Sequence, residues 1–223
     1  MQPISDKNNF LFLVYSLVFL LLVGALVDQF PNKLGKHIFQ AVTVITLASG
    51  IAGFKSSRIW FRTGIGFTAL VLLVVVLSVI LGMSGLSYLH LIMLLLFYLW
   101  ATWLAARQVL FTGPIDGNKI VGAICIYLLM GVIWTLLYLL IAQAIPEAFN
   151  GLEQALWYEN FADMAYYSFV TLTTLGYGDI SPKVPIARFV VYMEAIVGVF
   201  YMAILVASLI GIKTSEIKSS KDD

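Results

Sequence analysis

Charge is what this 223-residue sequence has least of: Asp, Glu, Lys and Arg make up 11% of it, while 61% is hydrophobic. Soluble domains carry about 25% charged residues, so a chain with mean hydropathy +0.96 must turn apolar surface toward a bilayer rather than water. The net charge of +1 and the lack of a basic patch exclude nucleic acid as a partner. Cysteine is limited to Cys125, inside an apolar run, which excludes an intrachain disulfide and a CxxC metal site and leaves a small packed hydrophobe. Histidine is limited to His37 and His90. With Cys125 and Glu194 they form no constellation for acid–base or metal chemistry, so neither an enzyme nor a resident cofactor is expected.

Crossing the hydrocarbon takes about 17–25 largely apolar residues in a helix. Six stretches meet or approach that length: 10–27, 38–54, 64–81, 86–106, 120–145 and 186–212. The second is the most polar, with Gln40, Thr43, Thr46 and Ser49, and is expected to face protein on one side. The first is too long for a signal-peptide core and lacks a following A-x-A site, so it reads as a retained helix. A seventh apolar run, 162–174, is too short to span and leads into glycines, which predicts a re-entrant helix. The expected fold is therefore an all-α membrane protein of six transmembrane helices, with a re-entrant pore helix and loop between the fifth and sixth.

Four segments follow from this pattern: a four-helix domain at 1–110, a linker at 111–119 (FTGPIDGNK), a helix–half-helix–helix unit at 120–212, and a tail at 213–223. The tail is expected to be too short to fold or to hold a ligand-sensing domain. Lys7, Lys55, Arg58, Arg62, Arg107, Lys119, Lys213, Lys218 and Lys221 fall on one side of the six spans, and only Lys33, Lys36, Lys183 and Arg188 on the other. Basic excess marks the cytoplasm, so both termini are expected inside a cell membrane, with Glu147, Glu153, Glu159 and Asp179 outside.

The segment TLTTLGYGD, 171–179, lies at the outer end of the last helix pair. Irregular backbone at membrane depth is tolerated only when buried in protein or lining a water-filled cavity. A strand alternates the direction of its carbonyls, and aiming several at one axis requires residues with φ > 0, which glycine adopts at little steric cost. Gly176 and Gly178 stand where that is needed. A row of oxygens from Thr174, Leu175, Gly176 and Tyr177 would result, and four such rows would replace the hydration shell of a potassium ion.

T-L-G-Y-G-D resembles the T-V-G-Y-G-D selectivity filter of potassium channels, and the span–short helix–filter–span order over about 120–212 resembles their pore unit. Six spans with one filter per chain resemble the six-helix prokaryotic channels, which assemble as homotetramers. The resemblance implies a K+-binding filter of Thr174, Leu175, Gly176, Tyr177 and Gly178, with Thr173, Asp179 and Glu194 in support around it. Leu175 departs from the family's valine; the resemblance puts that side chain behind the filter, so the coordinating carbonyls are unaffected. The intact GYGD implies potassium selectivity over a weakly selective cation pore, with a non-conducting subunit that retains the pore fold as the other alternative.

Within the last span, Gly198 matches the family's hinge glycine, with close helix packing as the alternative reason for a glycine. Met202, Val206 and Ile210 continue its face at four-residue spacing, giving an apolar surface that would constrict near Ile210 and close by dewetting. Ala203, Ala207 and Gly211 form a neighbouring small-residue stripe suited to helix contact. Glu194, one turn before Gly198, is expected to anchor to hydroxyls of the re-entrant helix, Ser168 or Tyr167, and Asp163 to complement that helix's N-terminus. Voltage sensing takes about 3–4 gating charges per subunit. The fourth stretch has His90 and no Arg or Lys before Arg107, so strong voltage gating is not expected. His90 reads as a neutral core residue, His37 as solvated, and Trp60, Phe61, Trp134 and Trp157 as interface anchors.

Overall fold

The computed structural model describes residues 9–27, 32–53, 58–81, 84–111, 117–153 and 155–222. Each long apolar run is a helix: α1 (Asn9–Val27), α2 (Asn32–Gly53), α3 (Arg58–Leu81), α4 (Ser84–Phe111) and α5 (Gly117–Ala144). After them come β1 (Phe149–Asn150), the short α6 (Phe161–Leu172), β2 (Ser181–Pro182) and α7 (Pro185–Asp222). Among the described residues, three helical stretches are long and apolar enough to cross a membrane, Tyr88–Val109, Gly117–Ala144 and Pro185–Ser208. Phe10–Leu26, Ile38–Ile51 and Arg62–Ser78 are shorter apolar helices. At a rise of about 1.5 Å per residue, the 28 residues of α5 exceed the hydrocarbon thickness, whereas the 12 of α6 reach little more than half of it.

Helix ends follow the breakers. Residue Pro185 opens α7, where its missing N–H costs nothing, and α5 stops ahead of Pro146. The last helix does not end with its apolar run: it continues to Asp222, so the tail expected to be unfolded is helical. The linker lies largely outside the described residues, as 112–116 do.

One core joins the two halves of the chain. It runs from Leu13 and Leu17 of α1 through Phe39 of α2 and Leu94 of α4 to Leu129 and Leu136 of α5 and Met164 of α6. Helices α1 and α4 both pack on α5 of their own chain, and α1 also reaches α6. Phe39 lies 4.7 Å from Phe161 between ring centroids, and a side chain at Gly24 would strike that same Phe161 ring. Trp157, expected at the membrane interface, is instead buried in this junction, 5.8 Å from Phe39 and 5.3 Å from His90. Its flat apolar bulk is covered by α2 and α4, so it anchors helices rather than headgroups. Trp134 is half-buried; the side chains of His37, Trp60 and Phe61 lie outside the described residues.

The last helix meets this core along one narrow stripe. Among the described side chains of α7, only Ala187, Glu194 and Gly198 are buried. With the half-buried Val191 and Tyr201 they form one stripe at helical spacing against α5 and α6. Its other faces expose Phe189, Ile196, Phe200, Met202, Ile204 and Val206.

Candidate functional site

The site is built on the C-terminal end of α6. Thr173 closes the helix, its N–H and hydroxyl both donating to the Phe169 carbonyl at 3.0 and 2.7 Å. The Thr174 N–H donates to Thr171 O at 2.9 Å. The chain then folds back, so that the N–H groups of Leu175 and Gly176 both donate to Val170 O, at 2.9 and 3.3 Å. These bonds satisfy carbonyls that a helix end leaves open. They also fix where the next residues start.

Every second residue of this segment has a left-handed backbone: φ is +61° at Thr174, +59° at Gly176 and +83° at Gly178. The sequence pattern points to the two glycines. It does not point to Thr174, a β-branched residue in a conformation that costs about 1–2 kcal/mol; the only signal is its register, two residues before Gly176. Nothing lies within 4 Å of a Cβ built on Gly176 or Gly178, so backbone angle and not crowding calls for glycine there. Residues 173–179 are exposed along their whole length, Leu175 at 55% and Tyr177 at 66%.

Around this segment the flanking loops form a frame. Strands β1 and β2 pair antiparallel, Phe149 opposite Pro182 and Asn150 opposite Ser181. The Lys183 N–H donates to Ala148 O at 2.8 Å, and the Lys183 ammonium pairs with Glu147 at 2.7 Å. That partner holds the Glu147 carboxyl below its ordinary value. Gly151, with φ +77°, lies against the Asp179 carbonyl, which leaves no room for a Cβ. Tyr166 of α6 donates to Asp179 Oδ2 and stacks on Tyr177.

Behind the segment, the three helices of the unit meet at a buried carboxyl. Glu194 accepts hydrogen bonds from Ser168 Oγ of α6 at 2.6 Å and from the Tyr138 hydroxyl of α5. Ser168 is the partner the sequence suggests; Tyr138 was missed, because 56 residues separate it from Glu194 and no local pattern connects them. Tyr167 packs its ring on Tyr138 instead of bonding the carboxyl. Gly198 is buried one turn on, where a Cβ would sit 2.5 Å from the Leu172 carbonyl. That close approach alone accounts for the glycine, and α7 runs through it unbroken. Met202 and Val206 are exposed on the continuing face; the side chain of Ile210 lies outside the described residues. Asp163 occupies the first turn of α6 as expected.

Two apolar helices, α5 and α7, flank the half-length α6 and the exposed segment of alternating φ. The model of a family described as ion channel matches residues 122–212, from within α5 to within α7, taking in α6 and all of TLTTLGYGD. No curated protein and no solved structure matches the chain. The family match and the apolar helices together support an ion channel in a membrane.

Proposed function

We propose that the protein is a potassium-selective channel, a homotetramer in the cell membrane that conducts K+ passively through a pore lined by residues 174–178 of four copies. The observation that carries this reading is the alternation of positive φ at Thr174, Gly176 and Gly178 in an exposed segment at the end of a half-span helix. Inverting every second residue cancels the alternation of an ordinary strand, so successive carbonyls turn to one side. One such row cannot surround a cation. Four rows supply cages of backbone oxygen that replace a hydration shell.

Exposure supports the assembly. The apolar faces of α7 and the uncovered Leu175 and Tyr177 need cover, and neighbouring copies provide it where lipid cannot reach the axis. In this reading α1 to α5 and α7 cross the bilayer with both termini cytoplasmic, and α6 enters without crossing. The C-terminal, negative end of the α6 dipole then faces a cation in the pore. Met202 and Val206, followed by Ile210, line the inner cavity as an apolar gate, and opening does not depend strongly on voltage.

The test is reconstitution into liposomes with K+ inside and Na+ outside. A reversal potential near that of K+, lost in Gly176→Ala or Tyr177→Ala, is the expected outcome. A well-folded tetramer that passes no current makes the protein a non-conducting subunit; a reversal potential near zero makes it a weakly selective cation pore.

A further inference from the structure

Glu194 is fully buried, at 0% exposure, and its two carboxyl oxygens serve two different helices. Oε1 accepts from Ser168 of α6 and Oε2 from Tyr138 of α5. The groups facing it are phenols and a hydroxyl: Tyr138 and Tyr127 from α5, Ser168 and Tyr167 from α6. Among the described residues no ion pair reaches it. Taking a carboxyl out of water without a cation is costly unless its oxygens are bonded, so the two hydroxyls are what keep it there.

The surroundings show why the joint is rigid. Ser168 Oγ also lies 2.9 Å from the Gly131 carbonyl of α5, and the missing side chain at Gly131 lets the ring of the adjacent Phe169 rest on that helix. Gly198 brings α7 equally close to Leu172, the last residue of α6. All three helices therefore touch at one level. Two residues after Ser168, Val170 O takes the N–H groups of Leu175 and Gly176. Any shift of α6 at Ser168 is carried into the segment that starts six residues later.

We propose that Glu194 is a positioning residue for the filter: through Ser168 it fixes the depth and rotation of α6, with Tyr138 holding the carboxyl from behind, so that movement of α7 at this level is passed to residues 174–178. The proposal rests on the reading of those residues as a filter. It assigns the switching of flux to the joint between α7 and α6, in addition to any constriction lower on α7.

The experiment compares wild type, Glu194→Leu, Glu194→Gln, Ser168→Ala and Tyr138→Phe as purified tetramers, by two readouts. In liposomes, Glu194→Leu and Ser168→Ala lower the K+/Na+ permeability ratio by about fivefold, the equivalent of one ordinary hydrogen bond. Glu194→Gln, which keeps the shape and one acceptor, recovers much of it. By amide hydrogen exchange, the same two variants open residues 172–178 faster than wild type while α1 to α4 exchange unchanged. Wild-type ratios in both variants, with wild-type exchange, overturn the proposal. Where wild type itself is not K+ selective, the filter reading fails and the exchange pattern alone decides the positioning role. Where Glu194→Leu does not fold, Ser168→Ala and Tyr138→Phe each remove a single hydroxyl and carry the test.

Discussion

The hydroxyl of Tyr166 donates to Oδ2 of Asp179 at 2.7 Å, bridging the second turn of α6 and the residue that ends the glycine segment. The bond holds the Asp179 carboxyl below its ordinary value and pushes the Tyr166 phenol up to about 12. Both shifts have the same cause, a neutral donor bonded to an ionised acceptor. A depressed carboxyl contributes stability that is complete above the ordinary aspartate value of 3.8 and is lost as pH falls through the folded value. In Tyr166→Phe the Asp179 carboxyl therefore titrates at higher pH. Flux measured with pH varied on each side in turn should show an acid midpoint moving up in the variant; an unchanged midpoint means that the bond does not tune conduction.

Gly131→Ala and Gly198→Ala address helix contact. A Cβ at Gly131 enters the Phe169 ring, and one at Gly198 meets the Leu172 backbone, which cannot rotate away. Overpacking of this kind costs about 1–3 kcal/mol. Gly131→Ala meets a side chain that can turn, so Gly198→Ala should lose more thermal stability in detergent. The hinge reading of Gly198 makes the opposite demand: alanine, a better helix former, leaves stability intact and changes only opening. Melting temperature beside single-channel open time separates the two.

Gly151→Ala should loosen the outer frame from a distance. At φ +77° and against the Asp179 carbonyl, alanine is strained twice over. The expected result is faster amide exchange across 148–151 and 179–183, where β1 and β2 pair, with α5 and α7 unaffected. A uniform change along the chain would mean that the strands carry no local load.

The features legible in the sequence are those that local pattern dictates. Apolar runs with breakers gave α1 to α5 and α7, and length alone separated α6 from a span. Gly176 and Gly178 announced the left-handed positions because few other residues tolerate them. Thr174 did not, since its φ is imposed by the Val170 carbonyl gathering two N–H groups after it. Partners distant in sequence were equally hidden: Tyr138 meets Glu194, and Trp157 meets His90, only through tertiary packing. The ladder of β1 and β2 is two residues long, too short for any period to appear.

The contact of His90 with Trp157 yields the last prediction. The His90 ring stands edge-on to Trp157 at 5.3 Å and 85°, joining α4 to the loop that precedes α6. Among the described residues its Nε2 finds no hydrogen-bond partner, an arrangement that costs about 1–3 kcal/mol. Phenylalanine keeps the edge-to-face geometry and removes the orphaned nitrogen, so His90→Phe should leave stability unchanged or raise it by about 1 kcal/mol. Trp157→Ala removes the ring that both α2 and α4 rest on and should cost about 3–5 kcal/mol. Thermal unfolding of the detergent-solubilised protein reads both. If His90→Phe is instead destabilised by more than about 1 kcal/mol, the nitrogen has a partner such as a bound water, and α4 is held to the pore half by a polar bridge rather than by ring packing.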